Sequence, residues 1–352
     1  MAPLGAAKPH CHRQRRPPLA HGRRGVARGA GMSPPNGQGR PLIVRLCNWV
    51  GEAVLSLPTL TMLEQQGYEL HLIGKRWAQS LFAGHGWAVH VRPARRGDAI
   101  RQLKTLRHEL SQRDPGFARR PNYLLFTSSF SSALEGRLAG LRPAGYDRDS
   151  RGLLLAHRVP YIAGLHAADD YWRIGTHFAR VAEARPGALG LQPSAEQSAQ
   201  ARALLAANGL ASADFVILCP FSGAADTTGK KLWPPFPNLA QRLQAQGLQV
   251  VLCPGPGEEA QARTQYPGAV MLEGVDLGTY AALTRLARCT VSNDTGPGHL
   301  AAAAGARLVS VLGPDAADMW LAQGEHVTLL RPAAGWPSLE DALTAVHNQV
   351  RT

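Results

Sequence analysis

The chain has 352 residues, 45% hydrophobic and 18% charged, with a formal net charge of +13. That is an ordinary globular composition, long enough for two domains each with its own core. The charge is local: Lys8, Arg13, Arg15, Arg16, Arg23, Arg24 and Arg28 precede Met32 with no acid among them, so the rest is only mildly basic. No apolar run has the length of a membrane span, and the N-terminus lacks the apolar centre of a secretory signal. Cys11, Cys47, Cys219, Cys253 and Cys289 are scattered, odd in number and without a CxxC pair. This favours reduced thiols in a reducing compartment over a disulfide framework.

Residues 1–40 are rich in Pro, Gly and Arg and have no apolar period; a disordered basic tail is expected there, or a segment upstream of a true start at Met32. A strand follows at 41–46, then a glycine turn and a helix whose buried stripe is Ala53, Leu57, Leu60 and Leu63. Strands at 68–73, 88–91 and 123–127 alternate with helices at 77–83, 99–112 and 128–139. The segment 161–184 reads as helical, 186–193 as a linker and 194–208 as a helix. Alternation then restarts, with strands at 215–219, 250–253, 270–272, 290–292 and 308–312. Helices fall at 236–246, 258–265, 277–287, 299–304 and 339–350. Strands alternating with helices mean a parallel sheet covered on both faces. The plan occurs twice. The expected fold is therefore α/β, with doubly wound domains at 41–185 and 186–335 and a C-terminal helix in 336–352. A cleft between the domains is expected at the carboxyl ends of the strands.

Three turns in the second half fall on that edge. The stretch from Val291 to Ala304 contains Asn293-Asp-Thr-Gly-Pro-Gly-His299 between a strand end and a helix start. Asp294 and Thr295 are candidate caps, Gly296 and Gly298 clear side chains from the backbone, and Pro297 fits a first turn. The free amides and positive end of such a helix favour an anion, and His299 adds a donor. A plain strand-to-helix turn would look the same. The second turn, Ser222-Gly-Ala-Ala-Asp-Thr-Thr-Gly-Lys-Lys-Leu-Trp-Pro234, offers the hydroxyls of Thr227 and Thr228 and the amines of Lys230 and Lys231. In the third, Pro254-Gly-Pro-Gly-Glu-Glu259, Glu258 or Glu259 can hold ribose hydroxyls. Together the three outline a nucleoside diphosphate site. Neither the lysine loop of nucleotide hydrolases nor GxGxxG is present. In the first half, Asn48-Trp-Val-Gly-Glu52 and Thr127-Ser-Ser-Phe-Ser-Ser132 share the same edge. Glu52 is either a helix-dipole partner or a general base facing the nucleotide. The carboxylates and histidines lack metal-ligand spacing, so no metal is expected.

Asn48-Trp-Val-Gly-Glu-Ala-Val-Leu-Ser-Leu-Pro58, Ser129-Phe-Ser-Ser-Ala133, Lys231-Leu-Trp-Pro234 and Ser292-Asn-Asp-Thr-Gly-Pro-Gly-His-Leu-Ala-Ala302 carry a resemblance. In order, from about residue 41 to about 314, the chain resembles the bacterial heptosyltransferases of glycosyltransferase family 9, in the lipopolysaccharide heptosyltransferase II branch. The resemblance implies a GT-B architecture, two Rossmann-like domains with the active site between them. It implies inverting, metal-independent transfer from ADP-heptose to an inner-core lipopolysaccharide acceptor, with no cofactor because the ADP-sugar is a substrate. By motif match Glu52 stands at the family's aspartate base and Lys231 at the lysine on the donor phosphates. Asp294, Thr295, Gly296 and His299 match the donor turn, Glu258 or Glu259 the ribose glutamate. Asn48, Trp49, Gly51 and Ser129 fall on the acceptor side. Two departures stand out: glutamate at 52 for the usual aspartate, and Gly298 for a larger residue, which is expected to loosen the turn.

The basic run Arg92, Arg95, Arg96, Arg101, Lys104, Arg107, Arg113, Arg119 and Arg120 suits an acidic acceptor or an anionic membrane surface as well as a solvated helix face. The expected setting is the cytoplasm, at the inner face of the bacterial inner membrane with peripheral contact. Rival functions are a transferase using another sugar nucleotide, a nucleotide-sugar epimerase, and, from the basic tail alone, a nucleic-acid binder. No nucleic-acid partner is expected.

Overall fold

The structure, a computed structural model, describes residues 39–210, 214–222 and 231–351. The basic tail before Gly39, and Thr227, Thr228 and Lys230, lie outside the described residues. The first lobe runs β1 (Arg40–Arg45), α1 (Val50–Leu55), α2 (Leu57–Gln65), β2 (Tyr68–Gly74), α3 (Trp77–Leu81), β3 (Ala88–Val91) and α4 (Arg96–Arg113). It continues with β4 (Tyr123–Leu125), α5 (Phe130–Leu138), β5 (Pro143–Asp147), β6 (His157–Pro160) and α6 (Ala167–Ala179). The second runs α7 (Ala195–Ala207), β7 (Phe215–Cys219), α8 (Phe236–Ala245), β8 (Gln249–Leu252), α9 (Glu259–Gln265), β9 (Val270–Met271) and α10 (Leu277–Leu286). It ends with β10 (Cys289–Asn293), α11 (Gly296–Ala303), β11 (Leu308–Val311), β12 (Val327–Leu330) and α12 (Leu339–Arg351).

Both sheets are six-stranded, in the orders β3-β2-β1-β4-β5-β6 and β9-β8-β7-β10-β11-β12. Every pairing is parallel. The two orders are the same, so the doubled plan read from the sequence is a doubled topology. Central strands of such sheets are covered on both faces and read as unbroken apolar runs. Leu42, Ile43 and Val44 in β1 and Phe215 to Leu218 in β7 are accordingly buried. In each lobe the order reverses beside the first strand, between β1 and β4 and between β7 and β10. Loops there diverge to opposite faces and leave a crevice at the carboxyl ends.

The structure corrects several expected elements. The helix expected around Ala53 to Leu63 is two helices, broken at Ser56, whose Oγ donates to the Ala53 carbonyl at 2.7 Å. Pro58, which has no amide to give, sits in the first turn of α2. In 161–184 only α6 is helical; Arg180 ends it in the left-handed region at φ 59°. The strands β5, β6 and β12 were not expected. β5 reads Pro-Ala-Gly-Tyr-Asp, β6 is four residues with two of them polar, and β12 is a four-residue edge strand. None is long enough to show a period.

The lobes meet along an apolar seam that includes Ala53 and Leu55 from α1 and Tyr280, Leu300 and Ala303 from α10 and α11. At its back, Gln197 Nε2 donates to the Ser80 carbonyl at 2.8 Å and the Gln192 amide to His85 Nε2 at 3.1 Å. α12 packs on β10, β11, β12 and α8, closing the second lobe's outer face.

One buried side chain links that outer face to the cleft. Trp233 is 2% exposed, its Nε1 donates to the Pro337 carbonyl at 2.9 Å, and its ring meets Phe236 edge-on at 5.2 Å. Its backbone amide donates to Asn293 Oδ1 at 3.0 Å. Trp233→Ala is expected to cost about 3–5 kcal/mol, as for other large-to-small changes in a closed core. Urea unfolding checks this; a loss under about 1 kcal/mol would contradict the anchor.

Candidate functional site

The site starts where β1 gives way to α1. Leu46 and Cys47 are still buried; Asn48 and Trp49 turn outward, and Trp49 takes the extended N-cap position of α1. Glu52 therefore falls in the first helical turn and is half-buried. Lost hydration raises that carboxyl group above its ordinary range, while the side chains of Cys47 and of Tyr171 on α6 act partly the other way.

Across the seam stands α11. A Cβ on Gly51 would lie 3.0 Å from Cδ2 of His299, and one on Gly296 would lie 3.8 Å from the Val50 Cβ. Glycines thus let the N-termini of α1 and α11 approach to van der Waals contact. The expectation that Asp294 or Thr295 caps α11 is not met. Thr295 occupies the N-cap without a side-chain capping bond; its hydroxyl turns back toward Ser292 Oγ and the Asn293 carbonyl, each at 3.4 Å. The first-turn amides are left without a side-chain acceptor. Gly298 does not loosen this turn either. A Cβ there would lie 2.9 Å from Ser292 Oγ, so the glycine lets the helix seat closely on the strand end.

His299 is 7% exposed. Burial drives its pKa down to about 4, with His166 and Lys231 adding to the effect, so the ring is neutral at pH 7. Its Nε2 lies 3.7 Å from Asp294 Oδ1, and its buried Nδ1 has no hydrogen-bond partner among the described residues. Burial raises the Asp294 carboxyl group, while Lys231 and Arg331 act to lower it. Lys231 itself is exposed. It is set beside this turn by Asn293, whose Nδ2 donates to the Pro220 carbonyl at 2.7 Å and whose Oδ1 receives the Trp233 amide.

These groups share a cavity of about 1100 Å³ between the lobes. Trp49, Gly51 and Glu52 line it from the first lobe; Lys231, Glu258, Glu259, Asp294, Thr295, Gly296 and His299 line it from the second. The Glu258 carboxylate accepts from the Gly255 amide and that of Glu259 from the Gly257 amide, both at 2.8 Å, so each also braces its own loop. Asn48 and Ser129 do not reach the cavity lining. Asn48 accepts from Arg45 at 3.1 Å, and Ser129 caps α5 by accepting from the Ser132 amide at 3.3 Å. Thr227 and Thr228 lie outside the described residues. Among the described residues no group of three or more His, Cys, Asp or Glu side chains is arranged to hold a metal ion.

Several site residues were not found from the sequence. Tyr280 bonds Cys219 Sγ at 3.0 Å and the Pro297 carbonyl at 3.4 Å, and with Phe221, Val275 and Leu277 it forms an apolar wall. Tyr171 and Asn293 act through space from elements whose local sequence announces only helix or strand. For Asn293 a signal existed: an amide placed where an apolar strand meets a turn.

Comparison with known proteins gives a consistent result. The family model described as glycosyltransferase family 9 (heptosyltransferase) matches residues 122–340. No curated protein sequence matches the chain. Among solved structures, a glycosyl transferase family 9 protein from Veillonella parvula aligns with TM-score 0.75 at 16% identity, covering 89% of this chain and 98% of that one. The E. coli ADP-heptose lps heptosyltransferase II aligns with TM-score 0.71 at 20% identity, covering 88% and 98%. The E. coli heptosyltransferase WaaC with ADP-2-deoxy-2-fluoro heptose aligns with TM-score 0.63 at 18% identity, covering 88% and 99%. The two six-stranded lobes are thus a GT-B fold.

The burial of Glu52 has a consequence for stability. Its folded-state carboxyl group holds the proton more tightly than the unfolded one, so the ionised form opposes folding above pH about 4.3 and the penalty vanishes below it. Glu52→Gln is expected to raise the free energy of unfolding at pH 8 and to give no gain at pH 3.5. Urea titrations at the two pH values check this, and equal stability of both proteins at pH 8 would contradict the buried placement.

Proposed function

Because the chain belongs to glycosyltransferase family 9, the heptosyltransferases, we propose that this glycosyltransferase moves a heptose from ADP-heptose to an inner-core lipopolysaccharide sugar with inversion. One observation carries the proposal: a half-buried carboxylate, Glu52, and an uncapped helix N-terminus with a neutral histidine, at α11, line one cavity from opposite lobes.

In this reading the donor pyrophosphate lies at the α11 amides, with Lys231 adding a positive charge and His299 Nδ1 available as an unpaired group. The ribose is held by Glu258 or Glu259, and the apolar wall of Val275, Leu277 and Tyr280 takes the flat base. As the glycosidic bond loosens, negative charge gathers on the leaving phosphate. Fixed amides and Lys231 offset it without reorganising. Glu52 removes the proton from the acceptor hydroxyl as it attacks the opposite face of the sugar. The charge balance is met by groups of the chain, so the proposed transfer is metal-independent and the ADP-sugar is a substrate, not a cofactor. No helix among the described residues is long and apolar enough to cross a membrane. We assign contact with the inner membrane surface to the basic first lobe, where Arg96 and Arg101 on α4 are exposed.

The test is to incubate purified protein with ADP-heptose and lipopolysaccharide truncated before its heptoses. One added heptose of inverted configuration, with one ADP released per transfer, is expected. Sugar conversion without acceptor would instead favour an epimerase. Glu52→Gln is expected to lower kcat by about 10²–10⁴-fold while ADP affinity stays within about threefold. Lys231→Ala is expected to weaken ADP binding about tenfold, the value of a charged hydrogen bond. Full transfer by the Glu52→Gln enzyme would remove the base assignment.

A further inference from the structure

The segment after β11 forms a strap across the mouth of the cavity. Gly313, Asp315, Ala316, Ala317 and Trp320 line the cleft, and the chain then runs on to the first lobe. The near end is fixed within its own lobe. The Trp336 ring packs where a Cβ on Gly313 would be, and Arg331 binds the Asp318 carboxylate and the Ala316 carbonyl. The far end is fixed by the other lobe. His166 Nε2 lies 3.0 Å from the Leu321 carbonyl, and Arg185 donates to Gln323 Oε1 at 2.7 Å. Arg185 is in turn held by Asp169 Oδ1 at 2.7 Å.

The His166 ring has no freedom in this arrangement. It is the N-cap of α6, and its Nδ1 accepts the Ala168 amide at 3.1 Å. An accepting Nδ1 puts the proton on Nε2, the nitrogen that faces Leu321. The same helix carries Asp169, which holds Arg185, and Tyr171, whose side chain acts on the Glu52 carboxyl group. One helical turn of α6 thus touches both halves of the cleft.

We propose that His166 and Arg185 are positioning residues for the transfer: together they pin the strap 313–323 to the first lobe, so that the wall over the donor is ordered from the acceptor side. The consequence for substrate rests on the nucleotide-sugar reading; the ordering of the strap does not. With the pins removed, the strap keeps its near end and the packing of buried Ala322 against α11, and loses both of these hydrogen bonds to the first lobe. Donor affinity falls, while Glu52, set in the first turn of α1, keeps its place.

The variants are His166→Asn and Arg185→Gln in the full chain. Asparagine is among the best N-cap residues and preserves the bond to the Ala168 amide, yet its side chain is too short to reach Leu321. Loss of helix α6 is thereby separated from loss of the pin. Hydrogen exchange of ligand-free protein is the first readout. Amides of 313–323 are expected to exchange about tenfold or more faster in either variant, with those of β1, β7 and β10 unchanged. Kinetics with ADP-heptose is the second. A five- to tenfold rise in donor KM is expected, the scale of one lost hydrogen bond, with kcat at saturation within about twofold. Wild-type exchange across 313–323 in both variants overturns the proposal, as does a fall in kcat at unchanged KM. If the wild-type chain binds no nucleoside diphosphate, the donor reading fails while the exchange data still decide the strap.

Discussion

Gly51 and His299 touch, and much of the molecule is arranged around that contact. A single methyl group at Gly51 would stand 3.0 Å from the imidazole, so two helix N-termini meet only because one of them lacks a side chain there. The approach is fixed from both sides. In the first lobe α1 is packed against α6 and α2. In the second, Gly298 lets α11 close on Ser292, Tyr280 bonds the Pro297 carbonyl, and Asn293 clasps both neighbouring loops. These contacts keep Glu52 and the N-terminus of α11 on the walls of one cavity.

The same closeness sets the charges. Removing water from the seam disfavours the ionised form of every group in it. Glu52 and Asp294 both shift up and His299 shifts down. Among the groups that line the cavity the histidine is a neutral ring and Lys231 is an exposed cation. Fixed dipoles of α11 then contribute most in the part of the cleft where water is scarcest. A proton acceptor with a raised pKa is also nearer the range where a general base works at neutral pH.

The fold was largely legible because its signal is local and repeated. An unbroken apolar run makes β7, a shorter one (Leu42 to Val44) centres β1, and the helices between the strands keep a stripe of leucines. What escaped were pieces too short or too polar to carry a period: β5 with its proline and glycine, β6, β12, and the break at Ser56, where a side chain competes for a helix carbonyl. At the cleft, the turn from Asp294 to His299 and the helix start at Glu52 could be read because glycines and prolines in a turn state their backbone requirement in sequence. Tyr171, Tyr280 and His166 could not. Each does its work through one atom reaching a different element, and nothing in its neighbours along the chain records that reach. The capping role expected of Thr295 failed for a related reason: the hydroxyl had a nearer acceptor in the strand end behind it.

The deciding question is whether a nucleotide's phosphates reach the contact between the lobes. Nitrogen-15 spectra of the histidine rings, recorded while ADP is added to the full-length protein, measure this directly, with His299 identified by its absence in a His299→Gln sample. His157 and His177, paired at 3.0 Å where β6 begins, serve as an internal reference. The His299 ring nitrogens should move saturably with ADP while that pair stays still. Saturable ADP binding that leaves His299 unmoved would contradict the account.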